Sequence, residues 1–308
     1  MKKAVSFILV ILMLVSMTAC AKNPDGIKGL QTESTGAPAN QTTSVTDAEK
    51  TEPSVTKPLP SETEGTEPGV SDPIYSMDEL KEMDATKKSY GPGTKMDEYN
   101  RPVGATTLQG WYGKYDAYFI APDNSNFYLT FDEGYENGYT AIILDTLKEK
   151  NVQAVFFVTL PYCKKNPELI RRMIAEGHAV GNHSVSHLSM PTLSIEKMVE
   201  EVMELHEYVK EHFGYEMHLF RPPMGEYSVQ SLAVLQNLGY KTVQWSFAYR
   251  DYDTENQMPP AEAYEKVVGA VHGGGIFLLH AVSKTNAEIL GDVIDEFRRQ
   301  GYDLMLFS

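Results

Sequence analysis

His183 and His187 stand four residues apart in the run Gly181-Asn182-His183-Ser184-Val185-Ser186-His187. At that spacing a helical turn carries both imidazoles on one side, which presents two nitrogens to a single metal ion. An acidic doublet lies upstream, in Thr130-Phe131-Asp132-Glu133-Gly134. Downstream come Arg221-Pro222-Pro223-Met224-Gly225 and Leu278-Leu279-His280. Two histidines and a carboxylate, with positions left open to water, make the ligand set of a catalytic zinc-type site. Glu133 is the candidate third ligand and Asp132 the candidate base. A metal lowers the pKa of its water towards about 7, and a neighbouring carboxylate can then remove the proton.

The later motifs supply the remaining parts. Pro222 and Pro223 have no N–H and both fix the backbone, so Met224 offers the first free amide after a rigid turn, which suits an oxyanion donor. Arg221 can hold a carboxylate bidentately and keep it ionised. Asp251, in Tyr249-Arg250-Asp251-Tyr252, can raise the pKa of His280 from one ring nitrogen and leave the other N–H for substrate. A protonated histidine is what amide cleavage needs, because the departing nitrogen is too basic to leave as an anion. Trp245 and Tyr252 either wall a sugar site or pack in the core. Each feature alone has a plainer reading, as an acidic loop, a Pro-Pro turn or a core histidine. Their order gives them weight. His178, His206, His212, His218 and His272 read as structural.

The elements that must position these residues alternate. Strand patterns at residues 126–130, 154–158, 179–182, 219–221, 241–246 and 276–279 interleave with helix patterns at 138–150, 167–176, 194–213, 228–238, 260–271 and 285–300, and a segment at 303–307 closes the chain. This rhythm implies an α/β fold with a parallel sheet, either open and doubly wound or closed into a barrel. Asp132, His183, Arg221, Asp251 and His280 each fall at or just past the C-terminal end of a strand, where loops from different strands converge. No Gly-x-Gly-x-x-Gly follows a strand, so a dinucleotide cofactor is not expected.

Residues 1–20 read as a signal peptide: Lys2 and Lys3, an apolar run, then Met17-Thr18-Ala19-Cys20, a lipoprotein-type box that makes Cys20 the lipid-modified residue. Residues 21–75 are rich in Thr, Ser, Pro and Glu and read as a disordered linker, with a reach of about 40 Å. A lead-in at 76–125 is expected to be irregular and to pack on the folded domain at 126–308. Cys163 is the other of the chain's 2 cysteines, so with Cys20 lipidated no internal disulfide can form. The net charge of -15 argues against nucleic acid and permits a neutral sugar polymer.

These residues resemble the NodB-homology polysaccharide deacetylases, carbohydrate esterase family four. The resemblance covers residues 126–307. It rests on Thr130-Phe131-Asp132-Glu133-Gly134, against the family's Thr-Phe-Asp-Asp-Gly, on His183-Ser184 with His187, and on the Arg221 and His280 motifs. Three stretches resemble the delta-lactam-biosynthetic de-N-acetylases, which act on muramic acid in peptidoglycan, notably spore cortex. They are Tyr135-Glu136-Asn137-Gly138-Tyr139, Trp245-Ser246-Phe247-Ala248-Tyr249, and His280-Ala281-Val282-Ser283 with Asn286-Ala287-Glu288.

The resemblance implies a distorted (β/α) barrel of parallel strands and hydrolysis of the N-acetyl group of peptidoglycan amino sugars, releasing acetate, with N-acetylmuramic acid the expected sugar. It implies a divalent metal, Zn or else Co, Mn or Mg, held by His183 and His187. Asp132 would be base, His280 acid, and Arg221 and Asp251 orienting partners. Glu133 stands where the wider family has a metal-binding aspartate, and Tyr252 where it has a tryptophan. The expected setting is the outer face of a bacterial cytoplasmic membrane, as a lipid-anchored monomer facing peptidoglycan glycan strands. The alternatives are the same chemistry on N-acetylglucosamine polymers and a non-catalytic cell-wall-binding lipoprotein. The intact Asp132, Arg221 and His280 set speaks against the last.

Overall fold

The computed structural model describes residues 73–122 and 125–308. Cys20, the signal segment and the linker up to residue 72 lie outside the described residues.

The chain opens with α1 (Met77–Glu82), β1 (Lys88–Ser89), α2 (Val103–Tyr112) and β2 (Ala117–Tyr118). Next come β3 (Asn126–Glu133), α3 (Thr140–Glu149), β4 (Val155–Val158), α4 (Leu160–Lys165), α5 (Pro167–Ala175), β5 (Ala179–Asn182) and α6 (Ile195–Phe213). The second half holds β6 (Leu219–Phe220), β7 (Glu226–Tyr227), α7 (Val229–Asn237), β8 (Lys241–Val243), α8 (Pro260–Gly269), β9 (Gly275–His280), α9 (Lys284–Arg299) and β10 (Asp303–Leu304). Helix starts are set locally. Thr159, Ser194, Ser228 and Ser283 each accept a first-turn amide of α4, α6, α7 and α9, satisfying donors that the helix itself cannot.

β3 pairs in parallel with β4 on one edge and β9 on the other, and β4, β5, β6 and β8 continue the sheet in parallel. Beyond β8 the chain bends onto β9. The Ser246 N–H donates to the Ile276 carbonyl at 2.8 Å, and the Leu278 N–H donates to the Phe247 carbonyl at 2.9 Å. These bonds close the sheet into a barrel. Its distortion follows from β6 and β8, which are only 2 and 3 residues long.

Strand alternation divides the core in two. Val155, Phe157, Ala179, Leu219, Val243 and Ile276 fill the barrel, with Phe307 packed among them. The opposite faces meet the helices, where Phe127, Phe277 and Phe297 pack ring on ring with Phe127 4.4 Å from each of the others. Burying each such ring contributes roughly 2 kcal/mol. Gly181 lies across from Phe157 in the β4–β5 pairing, and a Cβ there would stand 2.4 Å from the Phe157 ring. Only glycine leaves that ring its place.

The lead-in is more ordered than its composition suggests. It carries two helices, and β2 pairs in parallel with β8, so the barrel sheet begins before residue 126. β1 pairs antiparallel with β7, directly after the Pro222-Pro223 turn. The Tyr90 hydroxyl donates to the Trp245 carbonyl, and the Tyr90 N–H to the Gly225 carbonyl at 3.2 Å. Short polar segments of this kind have little periodicity of their own; partners far along the chain order them.

Candidate active site

β3 carries Asp132 to the barrel mouth, in register with His280 of β9. One carboxylate oxygen, Oδ1, accepts from Nη1 of Arg221 at 2.8 Å. The other, Oδ2, stands 3.5 Å from Nε2 of His183. Burial opposes the charge on Asp132, but the Arg221 guanidinium, helped by His183 and His280, outweighs it and holds the carboxyl below its usual range. Arg221 is wholly buried. Its Nε and Nη2 donate to the Val243 and Gln244 carbonyls at 3.0 and 3.1 Å, and its guanidinium lies 4.2 Å over the Phe157 ring. It serves one carboxylate through one nitrogen, not two. Its other donors fasten it to the backbone at the end of β8 and just beyond it.

His183 and His187 come together with ring centroids 4.8 Å apart, though not on a helical turn. They sit on a loop after β5 in which Ser184 and His187 have φ of 67° and 54°. Such values need local support from non-glycine residues. Asn182 Oδ1 and Ser184 Oγ supply it by accepting the Ser184 and His187 N–H at 2.9 Å each. Glu201, reaching from α6, accepts the Ser186 N–H at 2.7 Å. Nδ1 of His183 meets the Arg221 carbonyl at 2.8 Å. A carbonyl only accepts, so Nδ1 carries the proton and the Nε2 lone pair faces Asp132. Burial lowers both histidines, His183 to about 4, so both imidazoles are neutral near pH 7.

Glu133 is not part of this gathering. Neighbouring side chains on a strand point to opposite faces, so the chain that delivers Asp132 to the mouth turns Glu133 towards Tyr162 of α4 and Glu136. It is fully buried, and neither carboxyl oxygen accepts a hydrogen bond among the described residues. Burial, with Glu136 and Asp132 nearby, pushes its pKa well above the carboxylate range, which favours the neutral acid. Among the described residues no three His, Cys, Asp or Glu side chains are grouped so that they could hold a metal ion between them. The donor chemistry at the mouth still fits a divalent metal: two neutral imidazoles beside an ionised carboxylate oxygen.

On the other side of Asp132, Asp251 is buried and faces His280. Its Oδ1 accepts from Nδ1 of His280 and its Oδ2 from the His280 N–H, both at 2.8 Å. Burial works against a charged imidazole here, but the hydrogen bond and charge of Asp251 prevail and raise the His280 pKa. With Nδ1 taken, Nε2 is the nitrogen left for the cavity.

Two connected hollows share Asp132, His183, His187, Tyr252 and His280. One, of about 370 Å³, has Tyr135, Val185 and Val282 in its walls; the other, of about 510 Å³, has Met224, Trp245 and Leu278. Met224 has a φ of 58°, and its side chain is exposed at the rim. Trp245 packs against Gly225, where a Cβ would approach its ring to 2.6 Å. Tyr252 is exposed, with its ring 5.6 Å from that of His280. Asn286 supports Asp251 and Tyr249 supports Asn286; both lie in stretches that carry the resemblance, but no site role was expected of either. The spacing Ser283-x-x-Asn286 at a helix start was the available signal.

A family model described as polysaccharide deacetylase matches residues 120–243. An uncharacterized 30.6 kDa protein of Geobacillus stearothermophilus is 44% identical over 210 residues, 68% of this chain and 79% of that protein. The peptidoglycan-N-acetylmuramic acid deacetylase PdaA of Bacillus subtilis is 41% identical over 203 residues, 65% of this chain and 77% of PdaA. The solved structure of that PdaA, a family 4 carbohydrate esterase, superposes with a TM-score of 0.68 at 37% identity, covering 72% of this chain and 95% of the solved chain.

Proposed function

This chain belongs to the polysaccharide deacetylase family, and from that premise we propose that it removes the N-acetyl group of N-acetylmuramic acid in peptidoglycan, releasing acetate, with the help of a divalent metal. The observation that carries the reading is the arrangement about Asp132: Arg221 on one oxygen, His183 facing the other, and His280, backed by Asp251, in register on the next strand.

His183 and His187 would hold the metal, zinc in the first instance, and when bound it would supply Lewis acidity at the acetyl carbonyl. Arg221 fixes Oδ1 of Asp132, so Oδ2 is the atom turned to the cavity to take a proton from water. The Met224 amide, on its rigid turn, donates to the oxygen that becomes negative as water adds to the carbonyl. His280 gives the Nε2 proton to the sugar nitrogen as the C–N bond breaks. Asp251 holds the ring so that Nδ1 cannot compete for that task. Trp245, Tyr252 and Tyr135 line the hollows with ring faces suited to sugar.

Mass spectrometry of muropeptides incubated with the purified protein tests the reading. Loss of an acetyl group from the muramic residue is the expected result. Loss from glucosamine instead would transfer the chemistry to the other sugar, and no loss at all with metal present would reduce the protein to a wall binder.

The Ala19-Cys20 box supports anchoring to the outer face of the membrane through a lipid on Cys20, within reach of the glycan. Replacing Cys20 by Ser is expected to move the protein from the membrane pellet to the soluble fraction. Unchanged fractionation would show that the anchor lies elsewhere.

A further inference from the structure

We propose that Asn286 is a positioning residue for His280. It acts through Asp251, so this inference rests on the reading of His280 as the acid. The Asp251 carboxylate accepts three hydrogen bonds, two from His280 and one from Nδ2 of Asn286 at 2.6 Å. The last bond and the His280 N–H share Oδ2, which leaves Oδ1 to the ring alone. Without Asn286, both remaining bonds would come from His280 itself, and nothing outside the pair would fix the carboxylate about its own axis. The His280 ring would turn with it.

Asn286 is itself fixed in one orientation. It is buried on the first turn of α9, where Ser283 Oγ accepts its N–H at 3.1 Å. Its Oδ1 accepts from the Tyr249 hydroxyl. Its Nδ2 has two acceptors, Asp251 Oδ2 and the His280 carbonyl at 3.2 Å. Reversing the amide would set an oxygen against two acceptors and an NH₂ against a hydroxyl that must then find another partner. The network therefore admits one arrangement, in which Tyr249, Asn286, Asp251 and His280 form a continuous chain from the core to the cavity. A helix-capping turn thus carries the aim of the histidine that faces substrate. A residue with this role shows in turnover more than in binding, because ring orientation matters when the proton moves.

The test compares Asn286→Leu, Tyr249→Phe and His280→Ala on muropeptides, with thermal unfolding followed for each. Asn286→Leu is expected to lower kcat about tenfold with KM within about twofold of wild type. The same variant should shift or broaden the proton NMR signal of the His280 Nδ1–H, which a merely structural role would leave in place. Tyr249→Phe removes one hydroxyl, keeps the ring and should fall in the same direction by about threefold. If Asn286→Leu does not fold, Tyr249→Phe decides. Wild-type kcat with an unmoved proton signal in a folded variant overturns the inference while His280→Ala remains inactive. Wild-type kcat in His280→Ala would instead overturn the acid reading, and this inference with it.

Discussion

Asp132→Asn is expected to lower kcat by about two orders of magnitude or more, with KM largely kept. The amide is nearly isosteric, and its oxygen can still accept from Arg221. The group facing His183 then becomes an NH₂, which takes no proton from water and donates to the Nε2 lone pair that the site needs free. A second effect accompanies the first. Arg221 is wholly buried, and Asp132 is the acidic partner with which it forms an ion pair. Breaking a buried pair of this kind costs roughly 3–5 kcal/mol. Thermal unfolding must therefore be measured beside turnover, at saturating metal. Near wild-type turnover in a folded variant would remove Asp132 from the role of base.

Removal of metal is expected to abolish activity, and Zn²⁺ or a similar divalent ion to restore it. His183→Ala should weaken metal binding by roughly two orders of magnitude or more, because it deletes one of two neutral imidazoles at the mouth. Glu133→Gln should leave metal affinity unchanged, since its carboxyl lies on the other face of β3 and the amide matches a neutral acid in shape. Calorimetric metal titration of the three proteins separates these outcomes without recourse to turnover. Full activity after exhaustive chelation, verified by elemental analysis, would sink the metal requirement. A loss of affinity in Glu133→Gln would put the acidic ligand back at position 133.

The strand–helix rhythm was legible because parallel strands buried on both faces form compact apolar runs between capped helices. β5 at Ala179–Asn182 and α6 after Ser194 fell where their patterns placed them. The gathering of Asp132, His183, Arg221 and His280 was legible too, since strand ends in a parallel sheet point to one rim. Barrel closure was not, because it depends on Ser246 and Phe247 meeting Ile276 and Leu278, about thirty residues onward, which no local period encodes. α4 (Leu160–Lys165) is a short helix joined to α5 by Asn166, and with the Thr159 cap as its main signal it was not expected, whereas α5 was. The four-residue histidine spacing suggested a helix, yet a loop with two left-handed residues achieves the same approach. Glu133 shows the limit of reading an acidic doublet as one unit. In a strand, two adjacent carboxylates are assigned to different faces; both are buried here, and the Arg221 guanidinium beside Asp132 decides which one keeps its charge.

Asp132 and His280 are partners on adjacent strands, so the spacing between the proposed base and the proposed acid is inherited from the hydrogen-bond ladder of β3 and β9. No single side-chain substitution can stretch that interval, and a one-residue slip of β9 would turn His280 away altogether. Tyr135, Met224 and Tyr252 sit on connecting loops outside the ladder and are exposed. On the proposed reading, the choice of sugar rests on exposed side chains whose backbones share loops with the chemistry, since Met224 also offers its amide and Tyr252 follows Asp251. Substitution of those side chains, with the loops themselves kept, offers a route to new glycan preferences at constant chemistry, for natural divergence as for engineering.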